Sequence, residues 1–195
     1  MHQNISIMKQ LITLTFFLLS IVMNAQVPCD YSTNVKDSLG IYKETKAYLM
    51  SEKNFGDNSS YIFNTLTYDD GLMILNVQLI QKSNVFIKAN CFDKNSKLYL
   101  QLDNGKIITL LHTDQENCGT LLRDNKDFDN RLTVGTFLFL KGTIEDLKSS
   151  PVSLMRIKFA TGMEDFVIKK EIKSEMDGSI FYPEKYFMNY LKCVE

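Results

Sequence analysis

Two apolar runs separated by Asn104-Gly105 constrain this chain more than any other stretch. Residues 97–112, KLYLQLDNGKIITLLH, read as a β-hairpin, because a two-residue type I′ turn needs positive φ at both central positions and Asn-Gly tolerates that best. With Asp103 opposite Lys106, Leu102 faces Ile107, Leu100 faces Thr109 and Leu98 faces Leu111, and these six form the expected core face. The other face sets Lys97, Tyr99 and Gln101 against His112, Leu110 and Ile108, a mixed surface. Carried outward, the same ladder brings Cys91 opposite Cys118, so a disulfide is expected there. Residues 93–96 stand in its way. Directly opposed disulfides also fit best where strands approach closely, which an unbroken register does not give at Cys91.

The N-terminus has the layout of a cleavable export signal. An apolar run from Leu11 to Met23 follows Lys9 and ends at Met23-Asn24-Ala25, which places cleavage near Ala25 and leaves residues 26–195 as one β-rich domain. The run is too short to span a bilayer. Residues 1–7 carry no positive charge, whereas Met8-Lys9-Gln10 makes an ordinary leader start, so translation is expected to begin at Met8. Cys29 follows Gln26-Val27-Pro28 and not the small residues that lipid attachment needs. The exported chain is therefore expected to be secreted or periplasmic, with no transmembrane segment.

Four cysteines, all beyond the leader, are an even number in an oxidising compartment and favour disulfides over metal or redox chemistry. Of three pairings, the preferred one joins Cys91 to Cys118 and Cys29 to Cys193. The whole chain holds 22 basic and 23 acidic side chains, and the leader takes one of the former, so the exported part is net −2 with signs interspersed. No charge run steers it to nucleic acid or an anionic membrane.

Strand signals recur along the chain. Residues 41–50 read as a strand, and 61–67 and 72–82 flank Asp69-Asp70-Gly71 as a second hairpin with Met73, Leu75, Val77 and Leu79 on one face. Residues 85–92 read as a strand leading into the central hairpin. In 132–141, Leu132, Val134, Leu138 and Leu140 share one face and Phe137 and Phe139 the other, so burial on both sides is expected. Thr143 has the chemistry of an N-cap for a short helix that Pro151 stops. Residues 151–159 alternate as a strand that a turn at Thr161-Gly162 returns, and Pro183 opens a C-terminal helix with an apolar stripe of Tyr186, Phe187, Tyr190 and Leu191. The expected architecture is mostly β: an antiparallel sandwich or partly open barrel of eight or nine strands, with one short crossover helix and a C-terminal helix.

The stretches DQENCGTLLRD, LKSSPVSLMRIKF and FYPEKYFMNYLKC, with NAQ at the leader junction, resemble exported proteins of the Bacteroidota that carry no assigned function. The resemblance implies a secreted or periplasmic location and brings no catalytic motif with it.

Candidate chemistry is sparse. One histidine follows the leader, His112, and Cys118 lies six residues on; together they could form a Cys/His dyad only if Cys118 kept a free thiolate. Asp124, Asp127 and Asp129 offer hard oxygen ligands for calcium, without the spacing or turn glycine of an EF-hand. No GxSxG, HExxH or P-loop occurs. A solvated loop explains the aspartates and cross-strand packing explains His112. No cofactor is expected. Tyr31, Tyr42, Tyr61, Tyr68, Phe128 and Tyr182 fall near expected loops, where they could stack on a glycan or a protein partner. Recognition of such a partner is the preferred reading, not catalysis. A hydrolase using carboxylates or the Cys118/His112 pair, and a structural envelope component, are its alternatives.

Overall fold

The computed structural model describes residues 27–38, 40–113 and 115–195; the expected leader lies outside them. Eleven antiparallel strands form one sheet that is not closed on itself: β1 (Tyr31–Asp37), β2 (Gly40–Thr45), β3 (Tyr48–Phe55), β4 (Asn58–Asp69), β5 (Leu72–Ser83), β6 (Lys97–Leu102), β7 (Ile107–His112), β8 (Thr120–Arg123), β9 (Asp129–Phe139), β10 (Val152–Phe159) and β11 (Gly162–Val167). Their order is β1-β2-β4-β5-β9-β7-β6-β10-β11. The fold is thus of the expected class, an antiparallel sandwich or open barrel with two helices. The long strands β4 and β9 are each shared. β2 pairs with the C-terminal end of β4 and β3 with the rest of it, while β8 and β7 divide the same edge of β9. Each division lets the sheet fold over, so that Leu98, Leu100 and Ile157 of one wing join one core with Ile62, Leu75 and Val77 of the other. A ribbon of β12 (Ile172–Lys173) and β13 (Ile180–Phe181) stands beside it.

The second hairpin forms as its Asp-Gly signal requires. Asp70 and Gly71 both take positive φ, 41° and 99°, and β4 pairs with β5 in register over its whole length beyond the turn. The central hairpin does not. Gly105 alone lies at positive φ, 85°; its N–H donates to Leu102 O at 3.0 Å and Leu102 N–H donates to Lys106 O at 2.9 Å. This is a three-residue loop with a glycine bulge, not a two-residue type I′ turn. The extra residue slips the register by one, pairing Leu98 with Leu110 and Leu100 with Ile108. Because side chains alternate across a strand, the slip turns all of β7 over. Ile108, Leu110 and His112 are buried, and the expected core residues Ile107 and Leu111 face out, Ile107 at 64% exposure.

A second irregularity restores the ladder. At Asp93 to Ser96 the chain makes a tight turn, with Ser96 N–H donating to Asp93 O at 3.0 Å and Asp93 N–H to Ser96 Oγ at 2.9 Å. Beyond it Phe92 and Asn117 exchange both backbone hydrogen bonds, at 2.8 and 3.1 Å. The neighbouring pair is therefore of the close, non-hydrogen-bonded kind, and Cys91 and Cys118 are disulfide-bonded there with a Cα separation of 3.9 Å. The second disulfide joins Cys29 to Cys193.

Other expectations are corrected. Residues 41–50 are two strands divided at Lys46-Ala47. Residues 85–91 are an irregular loop, since β5 ends at Ser83 and the chain bends there. On β9 Phe137 is buried, but Leu132, and Leu140 just past the strand's end, are exposed, because nothing among the described residues covers that outer face and the inner one takes Thr133 and Gly135 instead. Thr143 does not cap: its hydroxyl donates to Leu140 O at 2.7 Å. The helix that follows, α1 (Ile144–Ser149), straddles the end of the central hairpin on the way from β9 to β10, tied by Lys106 to Asp146 at 2.6 Å and by Asp103 N–H to Pro151 O at 2.9 Å. At the C-terminus a single turn, Pro183–Lys185, leads into α2 (Tyr186–Tyr190) and a last turn, Leu191–Val194. Tyr186, Phe187 and Leu191 are buried as a docked stripe, with the Tyr48 ring 5.1 Å from Tyr186 and 5.2 Å from Tyr190.

Candidate functional site

At one end of the folded sheet the β3–β4 turn, the loop after β5 and the β10–β11 turn enclose a groove of about 510 Å³, within the ~300–1,000 Å³ of small-ligand sites. Each contributes an apolar rim residue that the core does not claim. Phe55 is 87% exposed and Phe86 78%, with Val85 and Met163 exposed beside them. Single exposed apolar residues are ordinary, but here four converge on one concavity. The floor is polar. Asn58, Ser59, Ser60, Gln81 and Ser83 come from the paired ends of β4 and β5, and Gln81 Oε1 is buried without a hydrogen-bond partner.

The rim loop is held from several sides. Asn84 Nδ2 donates to Asp57 Oδ2 at 2.9 Å, Val85 N–H to Ser83 Oγ at 3.0 Å, and Asn90 Nδ2 to Glu164 Oε1 at 3.0 Å. Ile87 is buried beneath it. Ala160 N–H donates to Cys91 O at 2.8 Å, so the Cys91–Cys118 disulfide fixes both the end of this loop and the turn that faces it. The walls of the groove are thus fixed by the fold itself.

The residues singled out from the sequence lie elsewhere. Cys118 is bonded to Cys91, so it offers no thiolate to a dyad. His112 is buried, its ring stacked on Phe92 at 5.1 Å and edge-on to Phe137 at 5.3 Å, with Nδ1 3.1 Å from Asp93 O. Tyr31, Tyr42, Tyr61 and Tyr68 sit in strands and not in loops. Tyr31 donates to Cys193 O at 2.9 Å, Tyr42 to Glu44 at 2.8 Å and Tyr61 to Asn54 at 3.1 Å. The Lys43 and Lys82 ammonium groups lie over Tyr68 and Phe128 at 5.7 and 4.7 Å. Tyr182 is exposed and is not part of the groove's lining.

The aspartate cluster is a loop scaffold. Asp124 accepts from Phe128 N–H at 3.0 Å, Lys126 N–H at 2.9 Å, Lys82 Nζ at 3.1 Å and Asn130 Nδ2 at 3.3 Å. Asp127 and Asp129 turn instead to Arg123, at 3.4 and 3.3 Å. Among the described residues no three histidine, cysteine or acidic side chains converge on a point that would hold a metal ion. The Phe128 amide above all, and then Lys126 N–H, Lys82 and Asn130, hold the Asp124 carboxyl well below the usual carboxylate range. Its contribution to stability is therefore complete above about pH 4 and is lost as the pH falls through the depressed folded value. Replacing Asp124 by Asn should flatten the acid limb of a stability–pH curve below about pH 4, read by urea midpoints across that range; an unchanged acid limb would show that the loop does not depend on the charge.

Phe55 and Phe86 are not among the residues that the sequence pattern singles out. Phe55-Gly56-Asp57-Asn58 carries a turn signature behind an aromatic, which was the available signal, whereas Phe86 was hidden in an apolar run that reads as a strand. Comparison of the chain with family models, with curated protein sequences and with solved structures finds no match.

Proposed function

We propose that this chain is an exported recognition module that binds a glycan or a protein partner in the groove between the β3–β4 turn, the loop after β5 and the β10–β11 turn. The observation that carries this reading is the pair of aromatic rings, Phe55 and Phe86, standing exposed on two separate turns at one mouth. Aromatic side chains left in water cost solubility and order no core, and they are the commonest energetic anchors of binding surfaces. Export is supported by two disulfides, which persist in oxidising compartments, and no helix among the described residues is long and apolar enough to cross a membrane.

The groove supports binding better than hydrolysis. Glu164 is the only carboxylate in its lining, and glycoside hydrolysis needs two facing one bond. Replacing Phe55 and Phe86 together by alanine should leave the thermal midpoint nearly unchanged, since exposed substitutions alter stability by about 0.5 kcal/mol or less. It should weaken retention on a glycan array, or on a partner captured from culture medium and identified, by about tenfold or more, because anchor residues cost at least ~1–2 kcal/mol when truncated. Retention equal to that of the unaltered protein would refute the groove as the binding surface.

A further inference from the structure

We infer that the groove takes an acidic oligosaccharide, one whose sugar rings carry carboxylate or sulfate groups; this rests on the recognition role proposed above and names its ligand. Charge is the first ground. Lys53, Lys82 and Lys88 line the groove against the single acid Glu164. Lys82 is neutralised by Asp124 at 3.1 Å, and Glu164 is already an acceptor for Asn90. Lys53 and Lys88 make no ion pair among the described residues, and the Lys53 ammonium lies 5.1 Å over the Phe166 ring. The lining, with these two ammonium groups against one carboxylate, is therefore positive on a chain whose net charge is −1. The Asp57 carboxylate of the β3–β4 turn lies outside the lining and accepts from Asn84. A concave site of one sign concentrates ligands of the other.

Arg131 adds to this independently. It lies directly across from Gln81 of the floor, on the same face of the sheet, and is only 8% exposed. Its Nη1 donates to Cys118 O at 2.9 Å, its Nε has no partner, and no carboxylate among the described residues pairs with it. A buried guanidinium without a counter-ion is costly. Arg131 does not itself line the groove; its charge acts on the adjoining floor residue through the strand pair, where an anion would lower that cost.

The lining selects a sugar over a peptide. Asn58, Ser59 and Ser60 present an amide and hydroxyls to the groove, matching the donors and acceptors of adjacent sugar hydroxyls, while the Ser83 hydroxyl is spent on Asn58 Oδ1 and Val85 N–H. Phe55 and Phe86 offer flat apolar faces to the C–H faces of sugar rings. The site is also a small concavity, whereas a stable protein partner needs roughly 800 Å² of matching surface on each side.

The test is calorimetric titration of the exported protein, at two salt concentrations, with oligogalacturonate, its carboxyl-reduced counterpart of equal length, and a sulfated chondroitin fragment. At least one acidic oligomer should bind about tenfold or more tightly than the reduced one, and its binding should weaken with salt. K53E/K88E should lose about tenfold in affinity for it and lose its salt dependence, with the thermal midpoint unchanged. Equal affinity for the acidic and reduced oligomers would overturn the acidic ligand while leaving the groove reading intact. Acidic binding that survives F55A/F86A would overturn both. Failure of all three oligomers to bind would overturn the inference in favour of a protein partner.

Discussion

Replacing Cys29 and Cys193 together by serine is expected to lower folding stability by about 4–5 kcal/mol, the upper end of the ~2–5 kcal/mol typical for a lost native disulfide. The bond joins residues 164 apart in sequence, so on the chain-entropy model it restricts the unfolded chain by about 5 kcal/mol, against about 3.5 kcal/mol for the shorter loop closed by Cys91 and Cys118. Its native surroundings add to the loss. Cys193 is buried, as are Leu191 and Val194 of the same turn, and the Tyr31 hydroxyl donates to its carbonyl, so the bond ties the edge of the sheet to the docked C-terminal turns. A serine hydroxyl at position 193 would be buried without an assured partner. Urea midpoints for the two double-serine variants should rank accordingly, and a larger loss for the Cys91/Cys118 pair would show that native packing, not chain entropy, dominates.

Phe92→Ala should cost about 3–5 kcal/mol, as large-to-small changes of buried aromatics do. Phe92 is fully buried, stacked on His112, 5.6 Å from Phe137 and 5.0 Å from Phe159. It lies where glycine makes room, since a Cβ at Gly135 would stand 2.7 Å from its ring and 2.8 Å from that of Phe137. Gly135→Ala should then cost about 1–3 kcal/mol by overpacking. The two changes are not independent. Once the Phe92 ring is gone, half of the clash at position 135 goes with it, so the double variant should be more stable than the sum of the single losses by about 1 kcal/mol. Additive losses in a urea-midpoint cycle would place the Gly135 clash elsewhere.

Much of this architecture is legible in the residues, and the failures have identifiable causes. Asp70-Gly71 forms the turn that its type demands, and Met155, Ile157 and Phe159 alternate into the core as read. Asn104-Gly105 misled because the same dipeptide also serves a type I turn followed by a glycine bulge. One residue of loop length decides which, and that residue reverses the facing of Ile107, Ile108, Leu110, Leu111 and His112. An unbroken two-residue-turn register also sets Cys91 opposite Cys118, and the pairing holds because the turn at residues 93–96 offsets the bulge. The groove was hidden for a different reason. Val85 and Phe86 have the composition of a strand, and only tertiary pairing shows that β5 stops at Ser83. What makes a site of them is the meeting of three segments far apart in sequence, a property that no local pattern encodes.

The groove itself is tested most directly by locating the contact. Acidic oligosaccharide titrated into isotope-labelled protein should move the backbone amide resonances of residues 53–60, 81–90 and 159–164 and leave the outer sheet face around Tyr99, Ile107 and Leu154 still. Resonance shifts centred on that outer face, or none at millimolar ligand, would contradict the account.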